Sequence, residues 1–178
     1  MSNYLNSKQK KVKPYVPGEQ PQDKKYVKLN TNESPFGVSP SAEKFLKNEL
    51  SKVQLYPDPD VKELTETVAK NLGVKPQNVL MTNGSDEILN FAFMAYCDKE
   101  IPAVFADITY GFYKVFAEIN DTAYKIIPLK EDLSICVSDY YNASGTIFIA
   151  NPNAPTGLNL SLAEIENVLK NNKDNVVV

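Results

Sequence analysis

From residue 79 onward, short apolar runs alternate with longer segments whose apolar side chains recur at helical spacing. The runs are VLMT (79–82), AVF (103–105), YKII (124–127) and TIFIA (146–150), the last rich in β-branched and aromatic residues. Between them, the turn NGSDE (83–87) leads into Ile88, Leu89, Phe91, Ala92 and Ala95. Residues 111–119 form a second helical pattern. A third starts at Ser161 and carries Leu162, Ile165, Val168 and Leu169. Strands and helices in this order need crossover connections, so they predict βαβ units and an α/β domain with a mainly parallel sheet and flanking helices. The chain closes on Val176, Val177 and Val178, which reads as a central strand buried on both faces. No turn, cap or polar tail follows, so the parent protein is expected to continue.

The first 37 residues read differently. They are polar and aperiodic, and Pro14, Pro17 and Pro21 rule out regular helix, which predicts an extended N-terminal arm. The Lys8, Lys10, Lys11 and Lys13 run fits a solvated tail. Residues 38–178 form the domain proper. Ser39-Pro40-Ser41 starts a helix with Phe45, Leu46, Glu49 and Leu50, and YPDPD (56–60) interrupts the chain. Asp60 is then expected to cap a helix that carries Val61, Leu64, Val68, Ala69 and Leu72 and stops at Gly73.

Composition removes several functions. With 19 Lys+Arg against 22 Asp+Glu the net charge is −3, without the basic excess of a nucleic-acid binder. No apolar run approaches the roughly 20 residues of a membrane helix, and no signal-peptide core follows the N-terminus. The chain has no histidine, which excludes Ser-His-Asp and Cys-His nucleophiles and histidine-based zinc sites within it. Acid–base work falls to Lys, Asp, Glu, Tyr or a bound cofactor. Cys97 and Cys136 lack metal or redox spacing and read as buried free thiols of a cytoplasmic protein.

Three post-strand loops and one tyrosine are candidate sites. NGSDE places Gly84, Ser85 and Asp86 at a helix N-terminus, where free N–H groups and the helix dipole bind phosphate; taken alone, the residues fit a plain N-cap better. NPNAPTG (151–157) is a rigid turn beyond a strand's carboxyl end, with Pro152 and Pro155 candidates for cis bonds. It suits either a ligand anchor or an ordinary βα loop. In DITYGFY (107–113), Tyr110 suits an aromatic ligand or the core, and Tyr56 can reach a neighbour or pack on its own domain.

The order of PYVPGEQ (14–20), LNTNESPFG (29–37), LYPDPD (55–60), TNGSDE (82–87), TYGFY (109–113) and NPNAPTG (151–157) is similar to the N-terminal half of fold-type I pyridoxal-phosphate aminotransferases. It is most similar to the histidinol-phosphate aminotransferase subgroup. The resemblance implies the aspartate aminotransferase-like large domain, present in part, with pyridoxal 5'-phosphate as cofactor and no metal. It implies that Gly84, Ser85 and Asp86 form the phosphate cup and that Tyr110 stacks on the pyridine ring. Tyr56 would reach the phosphate in the neighbouring subunit of a homodimer, and Tyr15 and Asn32 would line the substrate end. The family's asparagine before Pro-Thr-Gly is Ala154 here, so either Asn153 takes over the bond to the cofactor's ring hydroxyl, the favoured reading, or that bond is lost. Ile108 replaces a common proline.

By the same resemblance, the pyridine-pairing aspartate and the Schiff-base lysine lie beyond Val178, leaving no catalytic residue in the chain. The implied parent reaction is amino transfer between histidinol phosphate and 2-oxoglutarate in histidine biosynthesis, with small-molecule amino donor and oxo acid as partners. This chain alone would be inactive. Threonine-phosphate decarboxylation, or transamination of another amino acid, is the alternative on the same scaffold. A non-catalytic fragment or interaction module is the third.

Overall fold

A computed structural model describes residues 4–10, 12, 18–19, 21, 23 and 26–178. Tyr15 and most of segment 14–20 lie outside the described residues. The chain divides into two compact units: residues 14–81, and residues 1–13 together with 82–178. The sequence reading instead places its boundary after Gly37.

In the first unit, α1 (Pro40–Glu49) starts where Ser39 accepts the N–H of Ala42, with Pro40 in the first turn. It buries none of its own residues: Phe45 and Leu46 are exposed, as is Leu50 just past its end. Helix α2 (Lys62–Leu72) ends on Gly73 in the left-handed conformation, as its sequence predicts. Its start differs. The capping carboxylate is Asp58 rather than Asp60, and it accepts the N–H groups of Asp60 and Lys62 at 3.1 and 3.0 Å. These bonds, chiefly that from Lys62, hold its carboxyl below the usual carboxylate range. The Asp60 carboxylate instead lies 3.4 Å from the Lys62 ammonium.

The second unit contains a parallel sheet of three strands among the described residues, β1 (Ala103–Ala106), β2 (Tyr124–Ile127) and β3 (Thr146–Ile147), in the order β2-β1-β3. Ala103 pairs with Tyr124 on one side and with Thr146 on the other. Strand β1 is buried along its whole length, as a central strand requires, whereas most of β2 is exposed at the edge. Helices α3 (Ser85–Tyr96) and α4 (Phe112–Asn120) cover one face. There Phe93, Phe105, Tyr113, Phe116, Ala117 and Phe148 form an aromatic core. Helix α5 (Leu162–Lys170) covers the other face, where Val168 meets Val104, Ile147 and Tyr140. Burial pushes the Tyr113 hydroxyl up to about 12.

Several expectations need correction. Residues 79–82 are not a buried strand: Leu80 is 66% exposed, and no described strand pairs with the segment. An apolar run becomes a strand only where a neighbour takes up its N–H and C=O groups. TIFIA is shorter as a strand than its composition suggests, although Phe148 N–H still reaches Val104 O at 2.8 Å. The terminal valines form only an isolated parallel bridge, Ile147 to Val177, with Val176 37% and Val178 40% exposed. They are not buried on both faces. Cys97 is buried and Cys136 only half-buried. The N-terminal arm is not wholly extended, since the Asn6 side chain and carbonyl take the N–H groups of Gln9 and Lys10 and close a turn.

Helix α5 begins with a complete capping box. Ser161 accepts from the N–H of Glu164, and the Glu164 carboxylate accepts from Ser161 N–H at 2.7 Å. The Ser161→Ala variant should lower stability by about 1 kcal/mol, read as a shifted urea midpoint. The bonds from Ser161, the side-chain one first, also hold the Glu164 carboxyl below its usual range. A depressed pKa contributes stability that is present above the unfolded-state pKa and is lost as pH falls through the folded one. The variant should therefore lose less stability than the parent on acidification, and equal acid sensitivity would contradict this role.

Candidate functional site

The sheet topology selects one place for a ligand. The connection leaving β1 runs into α4 on one face, and that leaving β3 runs into α5 on the other. Adjacent parallel strands with diverging connections open a crevice beyond their carboxyl ends. The loops bordering it are residues 107–111 and 148–161.

The N-terminus of α3 faces the same loops. Its N-cap is Gly84, with φ +84° and ψ 174°, a conformation that side chains rarely adopt. The turn is tied from outside the first N–H groups: Glu87 accepts from Asn83 N–H at 2.7 Å, and Thr82 Oγ1 donates to Gly84 O at 2.9 Å. The helix has no side-chain cap, and no described acceptor takes the N–H groups of Ser85 and Asp86. A Cβ built on Gly84 meets nothing within 4 Å, so the approach is open on that side. Uncapped N–H groups at a helix start suit a phosphate.

Tyr110 stands beside this turn. Its hydroxyl donates to Asp86 Oδ1 at 2.5 Å, and its ring stacks on Phe112 and meets Tyr113 edge-on. The ring is half-buried. Asp107 anchors the loop before it by accepting the N–H groups of Ile108 and Leu129.

In the Pro-rich loop both the Asn151–Pro152 and Ala154–Pro155 bonds are cis, as the sequence suggests. Asn151 closes that loop by accepting Leu160 N–H at 2.8 Å. Asn153 is 2% exposed, and its amide is engaged inside the protein. Nδ2 donates to Ile108 O at 2.9 Å and to Thr156 Oγ1 at 3.2 Å, and Oδ1 accepts from Thr109 at 2.7 Å. Thr109 had no signal in the sequence beyond its place before Tyr110, since its partner lies 44 residues away.

The structure thus brings Gly84, Ser85, Asp86 and Tyr110 together, with Asn153 behind them. Tyr56 and Asn32 belong to the other unit. Tyr56 is 102% exposed, while Asn32 occupies an exposed left-handed turn at φ +54°.

The family model for aminotransferase class I and II matches residues 24–178. This chain belongs to the class I and II aminotransferases. Its similarity to curated members extends over the whole chain. It is 46% identical to histidinol-phosphate aminotransferase of Brachyspira hyodysenteriae, covering 100% of this chain and 51% of that one. It is 50% identical to that of a Marinomonas species, over the same shares. The chain spans about half the length of the curated relatives it matches. Two solved aminotransferases show the same fold. Thermus thermophilus aspartate aminotransferase, in a mutant form, matches with TM-score 0.80 and 16% identity, over 99% of this chain and 50% of that one. Histidinol-phosphate aminotransferase of Sinorhizobium meliloti, in complex with pyridoxal-5'-phosphate, matches with TM-score 0.73 and 21% identity, over 79% and 39%. Among the described residues no helix is long and apolar enough to cross a membrane.

Proposed function

We propose that this chain supplies the phosphate-holding and ring-stacking side of a pyridoxal-phosphate aminotransferase that moves an amino group between histidinol phosphate and 2-oxoglutarate. One observation carries the proposal. An uncapped helix N-terminus and a half-buried aromatic ring are tied together by the 2.5 Å bond from Tyr110 to Asp86. An anion seat beside a flat apolar platform suits a phosphorylated aromatic ring. The specific substrate is supported by the 46% identity to the Brachyspira hyodysenteriae enzyme across the whole chain.

Pyridoxal phosphate, when bound, supplies the electron sink for bond breaking beside the substrate nitrogen. The chain's own residues would hold it. Ser85 and Asp86 N–H groups would bond the phosphate oxygens, with the α3 dipole adding to the attraction. Gly84 keeps the approach open, and Tyr110 covers one ring face and keeps water from it. The exposed hydroxyl of Tyr56 would reach the phosphate bound by a second copy in a homodimer, and Asn32 and Tyr15 would line the substrate end. A cytoplasmic location goes with this reading and is supported by the free thiols Cys97 and Cys136.

Titrating the chain with pyridoxal phosphate, followed by cofactor absorbance, should give saturable binding. Gly84→Val should weaken it by roughly tenfold or more, because the side chain forces the turn out of its φ +84° conformation. Equal affinity in both proteins would remove Gly84 from the site, and no binding by the parent would sink the cofactor reading. For the substrate, a protein containing this chain should form glutamate from 2-oxoglutarate and histidinol phosphate. Carbon dioxide released from threonine phosphate instead would select the decarboxylase alternative.

A further inference from the structure

We infer that Asn153 and Thr109 are positioning residues that brace the Tyr110 ring from behind, and that the Asn153 side chain acts within the protein rather than on the ligand. The inference rests on the cofactor reading above and deepens it.

The amide of Asn153 has one orientation consistent with its neighbours. Ile108 O can only accept, so Nδ2 faces it, and Oδ1 is left to accept from the Thr109 hydroxyl. Both N–H groups of the amide are thereby used, the second on Thr156 Oγ1. The backbone of Asn153 is held as well, its N–H on Leu158 O and its carbonyl on Gly157 N–H, each at 2.7 Å. The residue is 2% exposed, so nothing of this amide is offered to solvent or to a ligand. Ala154, next in the chain, has only a methyl group.

What the amide grips is specific. Ile108 O and Thr109 Oγ1 belong to the two residues immediately before Tyr110. The Pro-rich loop after β3 therefore clamps the backbone that delivers the ring, while Asp86 on α3 clamps the ring's hydroxyl. The ring is held at both ends by segments distant in sequence. A side chain ordered before binding loses less entropy when a ligand stacks on it, so the brace acts on affinity through pre-organisation.

The test separates this role from general stability. Thr109→Val keeps the shape and removes only the hydroxyl that bonds Asn153, and Thr109→Ser restores it. With 3-fluorotyrosine placed at Tyr110 in the ligand-free chain, the parent and Thr109→Ser should give one narrow fluorine resonance. Thr109→Val should give a broadened or shifted one. In pyridoxal phosphate titrations Thr109→Val should bind roughly three- to tenfold more weakly, with Thr109→Ser close to the parent. In a Tyr110→Ala background, Thr109→Val should cost nothing further. An unchanged fluorine resonance, or the same loss of affinity without the Tyr110 ring, overturns the inference. If the parent binds no pyridoxal phosphate, the cofactor reading fails by itself, and the fluorine signal still decides whether the brace exists.

Discussion

Gly145→Ala should destabilise the chain more than any other single-methyl addition, by at least about 4 kcal/mol, or prevent folding. Gly145 leads into β3 at φ +155°, where the chain passes directly against the residue before β1. A Cβ there would lie 2.1 Å from Pro102 O and 3.0 Å from both Pro102 C and Cγ. The obstructing atom is backbone, so no rotamer change relieves it. The same oxygen accepts Thr146 N–H at 3.0 Å, which starts the β1–β3 ladder. Relieving the clash therefore pulls β3 away from β1 and spreads the two loops that border the crevice. Urea unfolding followed by circular dichroism reads the effect. Combining the variant with Pro102→Ala should not rescue it, because trimming the ring removes the Cγ contact and leaves the carbonyl in place. A midpoint matching the parent would show that the two backbones do not approach this closely.

Phe93→Ala is the second large effect, expected at about 3–5 kcal/mol. Phe93 is fully buried on the inner face of α3. Its ring stacks on Phe148 with centroids 4.3 Å apart and also meets Phe116 and Tyr113. The rings around it are anchored on α4 and on the segment leaving β3, so they cannot close over the space left behind. A loss of that size is a large share of the roughly 5–15 kcal/mol that holds a domain folded. It reaches the site as well, because Phe93 is two turns below Ser85 and Asp86 on the same helix. Phe93→Leu should recover much of the stability, since it refills part of the cavity. If thermal unfolding shows Phe93→Ala within 1 kcal/mol of the parent, α3 is held to the sheet by something other than this cluster.

The parts of the fold legible in the sequence are those whose chemistry closes within a few residues. Ser39 and Ser161 cap helices through N–H groups three residues on, and Gly73 stops α2 by taking the left-handed conformation. Strand β2 has the expected limits. Two local patterns point to the wrong outcome. Asp60 stands nearest the helix start, yet the carboxylate that accepts the Lys62 N–H is that of Asp58. Residues 79–82 have the composition of a strand, but composition cannot supply a pairing partner.

The candidate site divides along the same line. Gly84, Ser85, Asp86 and Tyr110 could be singled out because turn residues and an aromatic directly follow apolar runs. The bond joining Tyr110 to Asp86 spans 24 residues, and that joining Asn153 to Thr109 spans 44, so neither leaves a periodic trace. For Asn153 the sequence marks the loop, while the partners of its amide, Ile108 and Thr109, are visible only in the structure.

By itself, then, the sequence determined where the capped helices start and stop and that the strands it contains pair in parallel. Periodicity and capping are short-range, and they are written wherever the side chains stand in order. Only the tertiary structure decided that β1 lies between β2 and β3, that Gly145 must have no side chain, and that the Asn153 amide is spent on the loop behind Tyr110. Those outcomes depend on which backbones come within hydrogen-bonding distance after the crossovers are made, a relation between distant segments that no local pattern of residues specifies.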